Sequence, residues 1–157
     1  MLGLLGSVTR EGYLPDLEMK KVYSQAMAVV YPSLYEGFGI PILEGMTCGT
    51  PVLTANRSSM PEVAGDAAML FDPFSIEEIT NAIETVSENS TLRSEMIRKG
   101  LKRASQFSWK KSSQMTYEVY RSVARRSVNN LTGEPSVVPF SDSLDGTVDK
   151  QTRGEAA

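Results

Sequence analysis

Residues 31–54 read YPSLYEGFGIPILEGMTCGTPVLT, and the order of loop, helix and apolar run within them decides the fold. Just ahead, "AVVY" (residues 28–31) is a short continuous apolar run, the pattern of a parallel strand covered on both faces. Glu36-Gly37-Phe38-Gly39 interrupts it, and Pro41 suits the first turn of a helix reaching Thr47. Gly49 followed by Pro51 stops that helix, and "PVLTA" repeats the buried-strand pattern. Strand, helix and strand in that order imply a right-handed crossover within a mostly parallel sheet. The fold class is α/β, with helices on both faces of the sheet.

Upstream, Leu4 to Val8 reads as a short strand, and Asp16 as the cap of a helix with Met19, Val22, Tyr23, Ala26 and Met27 on its apolar face. Downstream, Ser59 and Glu62 form a capping-box pattern over a very short helix that Gly65 ends. "AAMLF" (residues 67–71) is a further strand. Ser75 and Glu78 form a second capping box, ahead of a helical face of Ile76, Ile79, Ile83 and Val86. Leu92, Met96, Ile97, Leu101 and Ala104 make another face. Trp109, Ser112, Thr116, Val119, Tyr120 and Val123 make a third. Beyond Arg126 the chain turns to Ser, Asp, Gly, Thr and Pro without periodicity, the composition of a disordered tail. The expected organisation is a partial Rossmann-like domain over 1–126 and a tail over 127–157. Sheets of this class usually have about five to six strands, so a strand-turn-helix unit is expected to be missing at the front.

Composition narrows the chemistry. The 157 residues carry 16 Lys and Arg against 19 Asp and Glu, a net charge of −3 that gives no bias towards nucleic acid. Histidine is absent, which removes the commonest general base and metal ligand, and Cys48 is the single cysteine. No apolar run is long enough to span a bilayer, and the first residues lack the basic and apolar regions of a signal peptide. A cytoplasmic setting is the default expectation.

Glu36 and Glu44 lie eight positions apart around the glycine loop. That loop follows a parallel strand, so it sits at the strand's carboxyl end, where open α/β sheets bind ligands. Gly37 and Gly39 let a ligand come close to the backbone, and the helix from Pro41 turns its free N–H groups and positive dipole end to the same place. Amides for phosphate and carboxylates for a vicinal diol together suit a nucleotide bearing a sugar. The plain alternative is a Gly-Pro turn before a helix, with Glu44 placed for the dipole alone.

The stretch "YPSLYEGFGIPILEGMTCGTPVLTANRSSMPEVAGDAAMLFDP" resembles the signature region of the retaining GT-B glycosyltransferases of family 4. Their Glu-x7-Glu motif is matched by Glu36 and Glu44. "GYLPDLEMKKVYSQA" is similar to the helix upstream in that family and "FSWKKSSQMTYEVYRSV" to its last helix, so the likeness runs from about Gly12 to Val123. The resemblance implies the C-terminal, nucleotide-sugar-binding domain of such an enzyme, truncated at its N-terminal side. Glu44 would take the ribose hydroxyls, and Glu36 would sit catalytically beside the transferred sugar. The amides of Gly37, Phe38, Gly39 and Ile40 would bond the sugar hydroxyls and the diphosphate. Tyr13 and Leu14 match the place where the base packs; Tyr13 reads equally well as a turn residue beside Pro15. Tyr23, Phe38 and Leu34 are expected in the core, and Glu62 as a cap of its own helix.

By the same resemblance the reaction is retaining transfer of a hexosyl group from a nucleotide diphosphate sugar to an acceptor hydroxyl on a sugar, polysaccharide or lipid. It implies no cofactor and no metal. The basic residues that grip the diphosphate in the family would lie upstream, and Arg10 does not match their context. The acceptor domain, and any peripheral membrane contact, would belong to the missing N-terminal half. Two other readings stay open: a non-catalytic nucleotide-sugar-binding or partner module, and a GT-B protein of another reaction such as epimerisation.

Overall fold

The computed structural model describes residues 6–131, with side chains described through residue 124. The elements run α1 (Asp16–Gln25), β1 (Val29–Tyr31), α2 (Ile40–Thr47), β2 (Val52–Ala55), α3 (Met60–Ala64), β3 (Ala68–Phe71), α4 (Ile76–Glu88), α5 (Ser90–Ala104) and α6 (Trp109–Leu131). The strands form a parallel sheet in the order β1-β2-β3, with Val29 opposite Val52 and Val52 opposite Ala68. Successive strand residues face opposite sides, and all of β2 is buried, so the central strand is covered on both faces. The α/β expectation holds. Of the strand expected at Leu4 to Val8, Leu4 and Leu5 lie outside the described residues, and Gly6 to Val8 form a turn and irregular backbone.

The core is one cluster in which α2, α3, α4 and α5 close on the sheet. Phe71, Ile42, Met46, Leu53, Met60, Val52 and Val86 are its largest fully buried apolar side chains. Each contributes roughly 1.5–3 kcal/mol against an exposed reference. Gly45 lets α2 lie directly on the strands: a Cβ there would meet Val29 at 3.0 Å and Val52 at 3.1 Å. The buried hydroxyls of Thr50 and Thr54 donate to the carbonyls of Tyr23 (2.6 Å) and Tyr31 (3.1 Å). These bonds fasten the end of α1 and the carboxyl end of β1 to neighbouring chain, satisfying polar groups that would otherwise be costly to bury.

Several local expectations are corrected. Helix α1 starts at Asp16 itself; Pro15 holds the cap position, and its carbonyl accepts from Glu18 N and Met19 N. No residue of α1 is buried, so its apolar face is not a core face. In α4 Val86 is buried and Ile79 packs against the core as expected, with Ala82 buried between them, while Ile76 at the helix start is 82% exposed and Ile83 stays exposed. Leu34 and Phe38 are exposed rather than core, standing on the loop after β1.

The chain divides after Trp109, and the second unit is represented by α6. Taken by itself, α6 leaves Trp109, Val119, Tyr120 and Val123 more than half exposed. The tail boundary expected after Arg126 falls inside this helix, which runs to Leu131; residues 132–157 lie outside the described residues.

Candidate functional site

The site is built where β1 ends. Tyr31 is the last residue of the strand, and the backbone leaves through Pro32 to Phe38 before Gly39 opens α2. Gly39 has φ +96°, a left-handed conformation that disfavours side chains, and a Cβ would meet Ile42 Cδ1 at 3.1 Å. No side chain caps α2. Pro41 has no N–H, and the Ile42 N–H is taken by the Gly39 carbonyl at 3.1 Å, so Ile40 supplies the first-turn donor. Among the described residues the N–H groups of Gly37 and Gly39 also donate no hydrogen bond.

Two tyrosines hold the two glutamates. The Tyr31 phenol donates a short bond to Glu36 Oε1, and Ser33 Oγ donates to the same oxygen at 2.9 Å. The Tyr23 phenol, reaching across from α1, donates to Glu44 Oε2 at 3.1 Å. Tyr23 is thus half-buried and polar in its use, not the core residue expected. The bonds from Tyr31 and then Ser33 hold the Glu36 carboxyl below the usual range. Burial, followed by the bonded carboxylates, pushes the phenols of Tyr23 and Tyr31 up to about 12. Tyr31 also feels Glu44, and Tyr23 feels Tyr31, so the four side chains form one electrostatic cluster. The structure therefore brings Glu36 and Glu44 to one place, beside the amides of residues 37–40. The arrangement can accept bonds from ligand hydroxyls at its carboxylates and donate to an anion from its backbone.

The other expected residues are less engaged. Tyr13 is 91% exposed and Leu14 half-buried, both ahead of α1. Glu62 does not form the expected capping box. Ser59 makes no cap bond to its own helix, and its hydroxyl instead donates to the carbonyls of Glu36 and Phe38, each at 3.0 Å. Arg57 follows β2 at the same edge of the sheet, but its guanidinium faces Asp72 at 3.7 Å and the Phe74 ring at 4.9 Å.

Residues not foreseen from sequence brace the loop from behind. Ser58 and Ser59 bond the Glu36 to Phe38 backbone. The Phe38 ring meets Phe107 edge-on at 5.8 Å, and Arg103 lies over Phe107 at 4.8 Å. Arg103 also donates to the carbonyls of Val63 (3.0 Å) and Glu62 (2.6 Å), closing the end of α3. A cavity of about 150 Å³ lies between, lined by Gly37, Phe38, Ser59, Glu62, Arg103 and Phe107 among others. A serine pair just past a parallel strand was the available signal for Ser58 and Ser59. Nothing local in the sequence marks Arg103 or Phe107.

Known proteins share this arrangement of elements. The sequence pattern described as "Glycosyl transferases group 1" matches residues 1–103. The O-antigen chain mannosyltransferase B of Escherichia coli is 42% identical over 110 residues, covering 70% of this chain and 29% of that protein. The MMP alpha-(1->4)-mannosyltransferase of Mycolicibacterium hassiacum is 30% identical over 129 residues, covering 80% of this chain and 31% of its own length. Among solved structures, the sucrose-phosphate synthase of Thermosynechococcus elongatus superposes with a TM-score of 0.70 at 26% identity, over 76% of this chain and 31% of that one. The chain thus spans about a third or less of the length of these relatives.

Proposed function

The chain belongs to the glycosyl transferases group 1 family, and on that premise we propose that residues 31–62 form the donor side of a site for retaining hexosyl transfer from a nucleotide diphosphate sugar. The observation that carries the reading is the pairing of both carboxylates with phenols beside unpartnered loop amides. Glu44 accepts from the ribose diol, and Glu36 accepts from hydroxyls of the transferred sugar. The N–H groups of Gly37, Phe38, Gly39 and Ile40 bond the sugar and the diphosphate. Tyr13 or Leu14 packs on the base.

In the reaction the anomeric C–O bond to the diphosphate breaks, and a bond to the acceptor oxygen forms on the same face. The acceptor proton departs, and negative charge grows on the leaving diphosphate. Fixed amides aimed at that charge stabilise it more in the transition state than in the ground state. The reading uses no metal and no cofactor. Nucleotide sugars are cytoplasmic metabolites, which places the work there, and the acceptor is a sugar, polysaccharide or lipid-linked chain met by a separate N-terminal domain. Because the relatives above are named mannosyltransferases, GDP-mannose is the first donor to try.

The test is a calorimetric titration of the chain and of Glu44→Ala with GDP-mannose, UDP-glucose and the free nucleotides. Weak binding by the chain and roughly tenfold weaker binding by the variant are expected, since a ribose diol loses its charged acceptor, a bond worth about 1.5–3 kcal/mol. Sugar transfer by these 157 residues alone is not expected. Arg103, which lines the cavity beside Gly37 and Phe38, directs its donors to the carbonyls of Val63 and Glu62 and to Gln106, and the proposed acceptor wall belongs to a separate domain. Equal affinity in the two proteins would remove Glu44 from the site.

A further inference from the structure

The turn between β2 and α3 grips the backbone of the glycine loop. Ser58 Oγ donates to the Glu36 carbonyl at 2.7 Å and accepts from the Glu36 N–H at 3.4 Å. Ser59 Oγ lies 3.0 Å from the carbonyls of both Glu36 and Phe38 and shares its single proton between them. Ser58 reaches this position with φ +54°, and among the described residues it is the one non-glycine with positive φ. Side chains rarely occupy that region, and such strain persists where the surroundings over-determine it, often at functional sites.

A trans peptide points its C=O and the next N–H in opposite directions, and among the described residues there are no cis bonds. Holding the Glu36 and Phe38 carbonyls towards the serines therefore turns the N–H groups of Gly37 and Gly39 the other way. Both of those amides, like that of Phe38 between them, donate to nothing among the described residues. Glycine at both positions leaves the peptides free to rotate, so an external hold is needed to keep the donors aimed. The serines have the contacts to provide it.

We propose that Ser58 and Ser59 are positioning residues that aim the Gly37 and Gly39 N–H groups at the diphosphate or sugar of the donor. The inference rests on the donor-site reading but makes a separate claim about the free loop. The two hydroxyls never touch the donor; they act through carbonyl groups one peptide away. They also couple the loop to α3, so a ligand that orders the amides orders the β2–α3 turn with them.

The experiment uses the whole chain, ¹⁵N-labelled, with Ser59→Ala, Ser59→Thr and Ser58→Gly as variants. Inorganic pyrophosphate and GDP-mannose are the probes, and amide order parameters of residues 36–40 are measured before either is added. In Ser59→Ala the Gly37 and Gly39 amides should lose order, and their shifts on probe addition should shrink with about tenfold weaker binding at an unchanged melting temperature. Ser59→Thr keeps a hydroxyl and should restore both readouts. Ser58→Gly tolerates the positive φ without the hydroxyl, and should loosen the Glu36 amide without unfolding the turn. Unchanged order and unchanged probe shifts in Ser59→Ala would overturn the proposal. If the wild-type chain binds neither probe, the donor reading fails, while loss of loop order in Ser59→Ala alone would still support the positioning role and unchanged order would still refute it.

Discussion

Tyr31 and Glu36 show how one hydrogen bond sets the character of a carboxylate. Glu36 stands on a loop in contact with solvent, yet its carboxyl is held below the usual range, first by the Tyr31 phenol and then by Ser33. Both bonds fall on Oε1, and Oε2 accepts none among the described residues. In Tyr31→Phe the ring still fills its half-buried place at the end of β1, but the larger of the two lowering bonds is gone. The Glu36 titration, followed by ¹³C carboxyl NMR, should move up towards the ordinary 4.5, with Ser33 holding back part of the change. A titration identical to wild type would mean that the short bond does not govern this carboxylate. The glutamates were legible in sequence because their spacing around a glycine loop is a pattern. Their phenolic partners were not, since Tyr23 lies 21 positions from Glu44 and only the packing of α1 against α2 brings them together.

At the scale of elements, what the sequence revealed follows from which forces are local. The strands were legible because a run covered on both faces is continuously apolar, and β2 is buried at every position. The ends of α2 were legible because proline and glycine act through their own backbone. The two Ser-x-x-Glu patterns are the instructive pair. Ser75 is extended at φ −99°, ψ 103°, and its side chain accepts from Glu78 N as a cap should. Ser59 sits at φ −79°, ψ −13°, a helical conformation from which capping geometry is lost, and its hydroxyl goes to the loop. Identical local pattern, different tertiary partner: the sequence alone cannot separate them. Close packing of α2 on the sheet yields a prediction of its own. Gly45→Ala would place a methyl 3.0 Å from Val29 and 3.1 Å from Val52, both branched at Cβ and unable to swing away cheaply. Helix α2 must then shift, at a cost of about 1–3 kcal/mol by analogy with overpacked cores. Chemical denaturation should show that loss, and because α2 carries Glu44 and the first amides of the site, donor binding should fall with it. Full stability in the variant would mean that α2 and the strands can part by a methyl group without cost.

At the scale of the molecule, the site's charge pattern sets how stability follows pH. The phenols of Tyr23 and Tyr31 titrate near 10.0 when unfolded and at about 12 in the folded chain, so the folded state holds their protons more tightly. Their contribution is therefore full below pH 10 and is lost as pH rises from 10 through 12. Lys99, raised by its bond to Glu95 and then by Asp66, loses its smaller surface contribution in the same direction. Glu36 works with the opposite sign: its depressed carboxyl adds stability above 4.5 that disappears as pH falls through its folded value. The melting temperature should form a plateau between those limits and decline on both sides. Tyr23→Phe/Tyr31→Phe separates the site from the rest of the surface. Neither Phe can ionise, so the part of the alkaline decline that comes from the two phenols should vanish, while the Lys99 part remains. The same variant should steepen nothing on the acid side, because a Glu36 without its phenol has less depressed affinity for protons and so less stability to lose there. Circular-dichroism melts from pH 2 to pH 12 on wild type and variant read both limbs at once. An alkaline limb of equal slope in the two proteins would show that the phenols are not held by the carboxylates in solution, and with that the four-residue cluster that orients the site would lose its physical basis.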